Sequence, residues 1–152
     1  MSISSKSTAE RNRLRIIGGQ WRGRKLTFKP EPGLRPTGDR TRETLFNWLA
    51  GDIHGAKCLD LFAGSGILGL EALSRGAAFC DFVDTSRGAV QQIGDHLGVL
   101  GAQLSAQCHT QSAQHFLQKA STTWDIAFVD PPFGAELVEP CCSQLVSNRL
   151  LN

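Results

Sequence analysis

Cys58-Leu59-Asp60-Leu61-Phe62-Ala63-Gly64-Ser65-Gly66-Ile67-Leu68-Gly69-Leu70-Glu71 decides the fold of this chain. It opens as an apolar run of strand length, breaks at glycines, and resumes as a helix through Leu73 and Ser74. A strand, a glycine turn and a helix in that order form a nucleotide-binding crossover. Gly64 and Gly66 carry no Cβ, so the backbone there can approach a ligand closely. The helix behind them aims its first N–H groups at the same point. The spacing Gly64-x-Gly66-x-x-Gly69 matches the dinucleotide fingerprint, which alone discriminates little.

Asp60, toward the end of the strand, discriminates more. A carboxylate facing a pyrophosphate is repelled, whereas a cationic amine or sulfonium attracts it. S-adenosylmethionine (SAM) carries both cations. The alternative is a carboxylate that caps the helix or complements its dipole.

The chain has 152 residues, enough for one domain with a real core. No run of about eighteen apolar residues suggests a membrane span, and the polar, Ser-rich residues 1–12 read as a disordered arm without the apolar core of a secretory signal. The net charge of +2 conceals an asymmetry. Residues 1–57 hold twelve Lys and Arg against five Asp and Glu, a balance of +7, and residues 58–152 hold four against nine, a balance of −5. A basic front on an acidic body points to a polyanionic partner met by the N-terminal part. The alternative is a solvated charged surface. Five cysteines, an odd number with no C-x-x-C pair, indicate neither a disulfide framework nor a zinc site. They fit reduced thiols in a cytoplasmic protein, with Cys58 and Cys80 in the core.

Outward from the glycine turn, residues 13–26 alternate around central glycines and read as a β-hairpin. Arg13, Arg15, Arg22, Arg24 and Lys25 are candidate phosphate contacts there, with Trp21 either a base-stacking platform or a local packing residue. Residues 29–38 form a turn-rich linker. Thr37 or Asp39 caps a helix over about 40–50, whose Leu45, Phe46, Trp48 and Leu49 read as core. These elements make a basic N-terminal unit, 13–50, in front of a ligand-binding domain over 51–152. Past the glycine turn, residues 78–84 read as a strand that Asp84 closes, eighteen residues beyond Gly66. An acid so placed can accept both hydroxyls of a ribose. Residues 89–100 read as a helix, 104–109 as a weak strand, and Ser112 and Ala113 open a short helix. Trp124 to Val129 is a further strand, and 136–151 a closing helix.

That strand runs straight into Asp130-Pro131-Pro132-Phe133. Two prolines cannot donate to a ladder. They stiffen a corner at the carboxyl edge of the sheet, where open α/β folds bind ligands. The exocyclic amine of guanine or adenine is a poor nucleophile, so methylating it depends on alignment and electrostatic help. Asp130 and the carbonyl of Pro131 can accept the two amine hydrogens, and Phe133 offers a face to an extruded base. A plain strand-ending turn is the alternative.

The combined pattern resembles the bacterial 16S ribosomal RNA guanine-N(2) methyltransferase family that modifies guanine 966. The resemblance rests on Arg15-Ile16-Ile17-Gly18-Gly19 with Arg22-Gly23-Arg24-Lys25-Leu26, and on Arg35-Pro36-Thr37 with Arg42-Glu43-Thr44-Leu45-Phe46-Asn47-Trp48-Leu49. The glycine turn and Asp130-Pro131-Pro132-Phe133 complete it, over roughly residues 13 to 150. It implies a Rossmann-like class I SAM-dependent methyltransferase, an α/β fold with a doubly wound sheet and an N-terminal β-hairpin extension. By position, Asp60, Ala63 and Gly64, with Ser65 and Gly66, would line the methionine part of SAM. Asp84 would hold the ribose and Ser112 and Ala113 would flank the adenine. Arg35 and Thr37 would lie over the cofactor, and Asp130 to Phe133 would be catalytic. The family has Glu more often than Asp at 84, and Asn or Asp is common at 112. No metal is implied, and the partner is 16S ribosomal RNA, met by a cytoplasmic monomer.

The family continues for about a helix and three strands beyond this chain's last helix, as suits an α/β domain of ~150–200 residues. Without them the fourth strand is an exposed edge, which invites pairing unless a partner covers it. Three other readings compete. A DNA adenine amino-methyltransferase shares the corner but usually adds a target-recognition region. A nicotinamide oxidoreductase shares only the glycine spacing. An RNA-binding remnant would keep the basic front and lack activity.

Overall fold

The computed structural model describes residues 13–28, 37–131 and 135–152. The arm at 1–12, Arg35, Pro132 and Phe133 lie outside the described residues. The chain opens with an antiparallel hairpin, β1 (Arg13–Arg15) and β2 (Lys25–Thr27). In β1 and β2 only Leu14 and Leu26 turn inward, so the basic residues between them face out. Helix α1 (Asp39–Trp48) follows, then β3 (Lys57–Asp60), α2 (Ile67–Ser74), β4 (Phe79–Asp84) and α3 (Arg87–Leu100). Strand β5 (Ala106–Thr110), α4 (Ala113–Lys119), β6 (Ile126–Phe128) and α5 (Val138–Ser147) complete the chain.

Four parallel strands form one sheet in the order β5-β4-β3-β6. The chain winds outward from β3 to β5, then crosses back to place β6 on the other side of β3. The switch point between β3 and β6 is where such sheets bind ligands. Both sheet faces are covered. Cys58, Cys80 and Phe82 pack with α2, α3, the hairpin and Phe46 of α1. Leu59, Leu61 and Val83 pack with α4, α5 and Trp124. Every residue of α2 is buried, because the sheet covers one side and the hairpin the other. A helix sandwiched this way is apolar all round, and Glu71 is the charge inside it.

The structure moves several sequence-predicted boundaries. Helix α1 starts at Asp39 behind Gly38, and neither Thr37 nor Asp39 caps it; Asp39 pairs with Arg42 instead. Trp48 is not core: it is 77% exposed, because the buried face of α1 is set by Arg42 and Phe46, four residues apart. Strand β5 starts two residues later than expected, after a 3-10 turn at Gln103–Ser105 that leaves Leu104 in solvent. Ser86 caps α3 by accepting from the Ala89 N–H, which lengthens that helix at its start. The closing helix is shorter, because Leu150 to Asn152 turn back to Trp124. The Trp124 N–H donates to Leu150 O at 2.8 Å and the Asn152 N–H to Trp124 O at 2.9 Å. This parallel bridge covers the approach to β6, and Ile126 to Phe128 form the sheet edge among the described residues. Cys58 and Cys80 are buried free thiols, neighbours across β3 and β4. Among the described residues no helix is long and apolar enough to cross a membrane.

Candidate active site

The glycine turn sits at the carboxyl end of β3. Gly64 and Gly66 have φ of 55° and 80°, the left-handed region that disfavours a side chain. A Cβ on Gly66 would lie 2.8 Å from Ile93 of α3. Asp84, at the end of β4, holds this turn closed. Its Oδ2 accepts from the Gly64 N–H and its Oδ1 from the Ser86 N–H, both at 2.9 Å. Each carboxylate oxygen keeps a further lone pair, and the side chain is half-buried at the edge of a cleft.

That cleft encloses about 240 Å³ and is lined by Phe62, Asp84, Ser112, Ala113, Leu137 and Cys141 among others. A carboxylate at one end and apolar walls beyond it fit an adenosine, whose ribose donates two O–H groups and whose base is flat. The structure thus brings Asp84, from the end of β4, together with Ser112 and Ala113, from the start of α4. The Ser112 hydroxyl already accepts from the His115 N–H as the cap of α4. Leu137 and Cys141 were not legible as lining residues, since only the packing of α5 brings them there.

Asp60 is 2% exposed, and its Oδ2 accepts from the Gly69 N–H at 3.0 Å. In this structure the Asp60 carboxyl thus binds the first turn of α2. Burial pushes its pKa up to about 7; the Gly69 N–H opposes the rise, and the nearby charges of Asp130 and Asp84 add to it. Three carboxylates converging on one turn repel one another, an arrangement that a cation relieves. Ala63 is buried beside them, and Ser65 accepts from the Ile67 N–H.

Asp130 follows β6 at the switch point and is exposed, and Pro131 behind it is buried. The Thr37 hydroxyl donates to Asp130 Oδ2 at 3.3 Å. Both residues line a second, open cavity of about 540 Å³, with Thr41, Leu45, Leu68 and Phe128. Thr37, expected over the cofactor, thus stands at the acidic corner.

The basic hairpin divides into two groups. Arg13, Arg22, Arg24 and Lys25 are exposed, with no ion pair among the described residues. Arg15 is paired with Asp39 at 3.0 Å, which relieves its position opposite Lys25 in the ladder. Trp21 is half-buried with its side chain packed against the core, and its backbone N–H donates to Ser74 Oγ. Sequence reasoning missed what seats this hairpin. The Glu71 carboxylate accepts from Ile17 N–H, Gly18 N–H, Arg42 and Arg75, all at 2.9–3.0 Å. A charge in the middle of an apolar helix was the available signal, since a buried charge requires partners.

A doubly wound parallel sheet, a glycine turn after its first strand, an acid closing the second and an Asp-Pro corner after the fourth define the class I SAM-dependent methyltransferase fold. The protein-family comparison places residues 14–152 in the family described as conserved hypothetical protein 95. Ribosomal RNA small subunit methyltransferase D of Escherichia coli K12 is 52% identical over 138 residues, covering 91% of this chain and 69% of that protein. The Haemophilus influenzae protein of the same name is 45% identical over 141 residues, covering 91% and 73%. A solved Escherichia coli structure, described as that of a methyltransferase, superposes with a TM-score of 0.85 at 48% identity, over 92% of this chain and 75% of that one. The chain belongs to the ribosomal RNA small subunit methyltransferase D family.

Proposed function

We propose that this protein transfers the methyl group of SAM to the exocyclic N(2) amine of a guanine in 16S ribosomal RNA, at guanine 966. One observation carries the reading: Asp130, at the switch point of a sheet whose β4 end borders an adenosine-sized cleft, lines an open cavity fit for an extruded base. The relatives' names supply ribosomal RNA of the small subunit as the substrate class, and the exposed arginines of the hairpin suit it. When bound, SAM supplies an electrophilic methyl group on a sulfonium. The chain's own residues do the rest. Asp84 accepts the ribose hydroxyls, and the crowded carboxylates at Asp60, Asp84 and Asp130 favour a cationic centre nearby. Asp130 accepts an amine hydrogen of the guanine and stabilises the positive charge that grows on nitrogen as the new bond forms. The protein is read as a cytoplasmic monomer.

Labelled SAM offered with naked 16S RNA, protein-bound RNA and assembled small subunits tests this reading. Label recovered as N(2)-methylguanosine from one of these supports it. Label in adenine, or transfer to duplex DNA in preference to RNA, favours the adenine amino-methyltransferase reading instead. No transfer to any of them favours an RNA-binding protein without this activity.

A further inference from the structure

We propose that Arg42 is a positioning residue for the catalytic corner, acting on Asp130 through Thr37. The inference rests on the reading of Asp130 given above and goes beyond it. The guanidinium is 0% exposed and uses its fork on four partners. Its Nε donates to the carbonyl of Thr37 at 3.2 Å, and Nη1 to the carbonyl of Arg15 at 2.7 Å and to Glu71 at 3.0 Å. Nη2 donates to Asp39 at 2.6 Å. One side chain therefore joins the hairpin, the catalytic corner and the helix that follows the glycine turn.

A purely structural role accounts for only some of these contacts. Glu71 already has two backbone N–H groups and Arg75, and these seat the hairpin on α2. The bond from Nε to Thr37 serves a different place. Thr37 is held by its carbonyl while its hydroxyl donates to Asp130, so the orientation of that hydroxyl depends on Arg42. Asp130 itself is exposed and has no other described hydrogen bond, so this contact selects its rotamer. An arginine suits the position because its planar fork addresses several acceptors at fixed angles, which a lysine ammonium cannot do.

The test uses Arg42→Lys, which keeps a cation against Glu71 and Asp39 but lacks the Nε donor. Thr37→Val removes the hydroxyl at constant shape, and Thr37→Ser restores it. In the ligand-free protein labelled at aspartate, the carboxyl carbon resonance of Asp130 should move in Arg42→Lys and Thr37→Val, and return in Thr37→Ser. Single-turnover methylation at saturating SAM and RNA should fall roughly tenfold to hundredfold in the first two, the worth of one hydrogen bond to a charged group. SAM and RNA dissociation constants should stay within about twofold, since neither ligand is bound by Arg42, and the Thr37→Ser rate should recover. An unmoved Asp130 resonance in Arg42→Lys overturns the proposal. So does a loss of SAM affinity in Thr37→Val that accounts for its lost rate, because Thr37 then serves the cofactor. If the wild-type chain methylates nothing, the reading of Asp130 as catalytic fails, and the resonance alone decides whether Arg42 orients it.

Discussion

The environment of Asp60 favours its protonated form more than that of an ordinary aspartate. Burial is the first cause, the charges of Asp130 and Asp84 add to it, and the Gly69 N–H opposes it. The unfolded carboxyl ionises near 3.8, whereas the folded one keeps its proton up to about 7. The stability this group contributes is therefore complete below pH 3.8 and is lost as pH rises toward 7, a change of roughly 4 kcal/mol at 1.36 kcal/mol per pKa unit. Asp60→Asn keeps an acceptor for the Gly69 N–H and carries no charge. Urea unfolding at pH 4, 5.5 and 7 should show the variant gaining on the wild type as pH rises; parallel stabilities across that range would falsify the assignment. Asp84 acts differently, since both its oxygens already hold the turn. Asp84→Ala should lower SAM affinity roughly tenfold to hundredfold, from the loss of charge-assisted hydrogen bonds worth about 1.5–3 kcal/mol. Calorimetry giving wild-type affinity would move the ribose elsewhere. For Asp130→Ala, turnover should fall about 100–1,000-fold with SAM affinity largely kept, because its contact strengthens as charge develops on the amine. Asp130→Asn retains an acceptor oxygen and should keep part of the rate if positioning dominates. Wild-type single-turnover rates in Asp130→Ala would leave the corner a structural turn.

At the level of elements, α2 carries both the glycine turn at its start and the hairpin along its outer side. Its packing on the sheet leaves no room at Gly69, where a Cβ would meet Phe82 at 2.3 Å and Cys80 at 2.7 Å. Gly69→Ala should destabilise the fold on balance. Overpacking costs about 1–3 kcal/mol, against about 1 kcal/mol gained from alanine's helix propensity. A higher urea midpoint for the variant would contradict this. The third glycine of the motif is thus a packing residue. The strand–turn–helix, the hairpin and β4 were legible because each is a local pattern of apolar period and glycine. Trp48 was not, since a helical stripe cannot tell which of two aromatics, Phe46 or Trp48, faces the sheet. The start of β5 was hidden for a similar reason. Leu104 looks like a strand residue, and only the turn that closes α3 puts it in solvent. The partners of Glu71 and Arg42 lie tens of residues away in sequence, so their pairing is a property of the assembled fold.

Over the whole molecule, the charge asymmetry of +7 before residue 58 and −5 after it decides how RNA would approach. The structure sorts the basic residues by availability. Arg42 is buried and Arg15 is neutralised by Asp39, so neither is free to release counterions. Arg22, Arg24 and Lys25 are exposed on and beside the hairpin loop, with no acidic partner among the described residues. If they contact phosphates, each contributes about 0.7–0.9 to the slope of log affinity against log salt. Arg22→Ala, Arg24→Ala and Lys25→Ala together should flatten that slope by roughly 2 and weaken binding alike for target and unrelated RNA. Arg15→Ala should flatten it less than Arg22→Ala, because removing a cation already paired with Asp39 releases fewer counterions. Filter binding of 16S fragments from low to moderate salt measures both comparisons, with thermal unfolding as the control for a displaced hairpin. A triple variant with the wild-type slope and an unchanged melting temperature would mean that RNA meets another face. The exposed arginines would then be a solvated surface, and the +7 a matter of solubility rather than recognition.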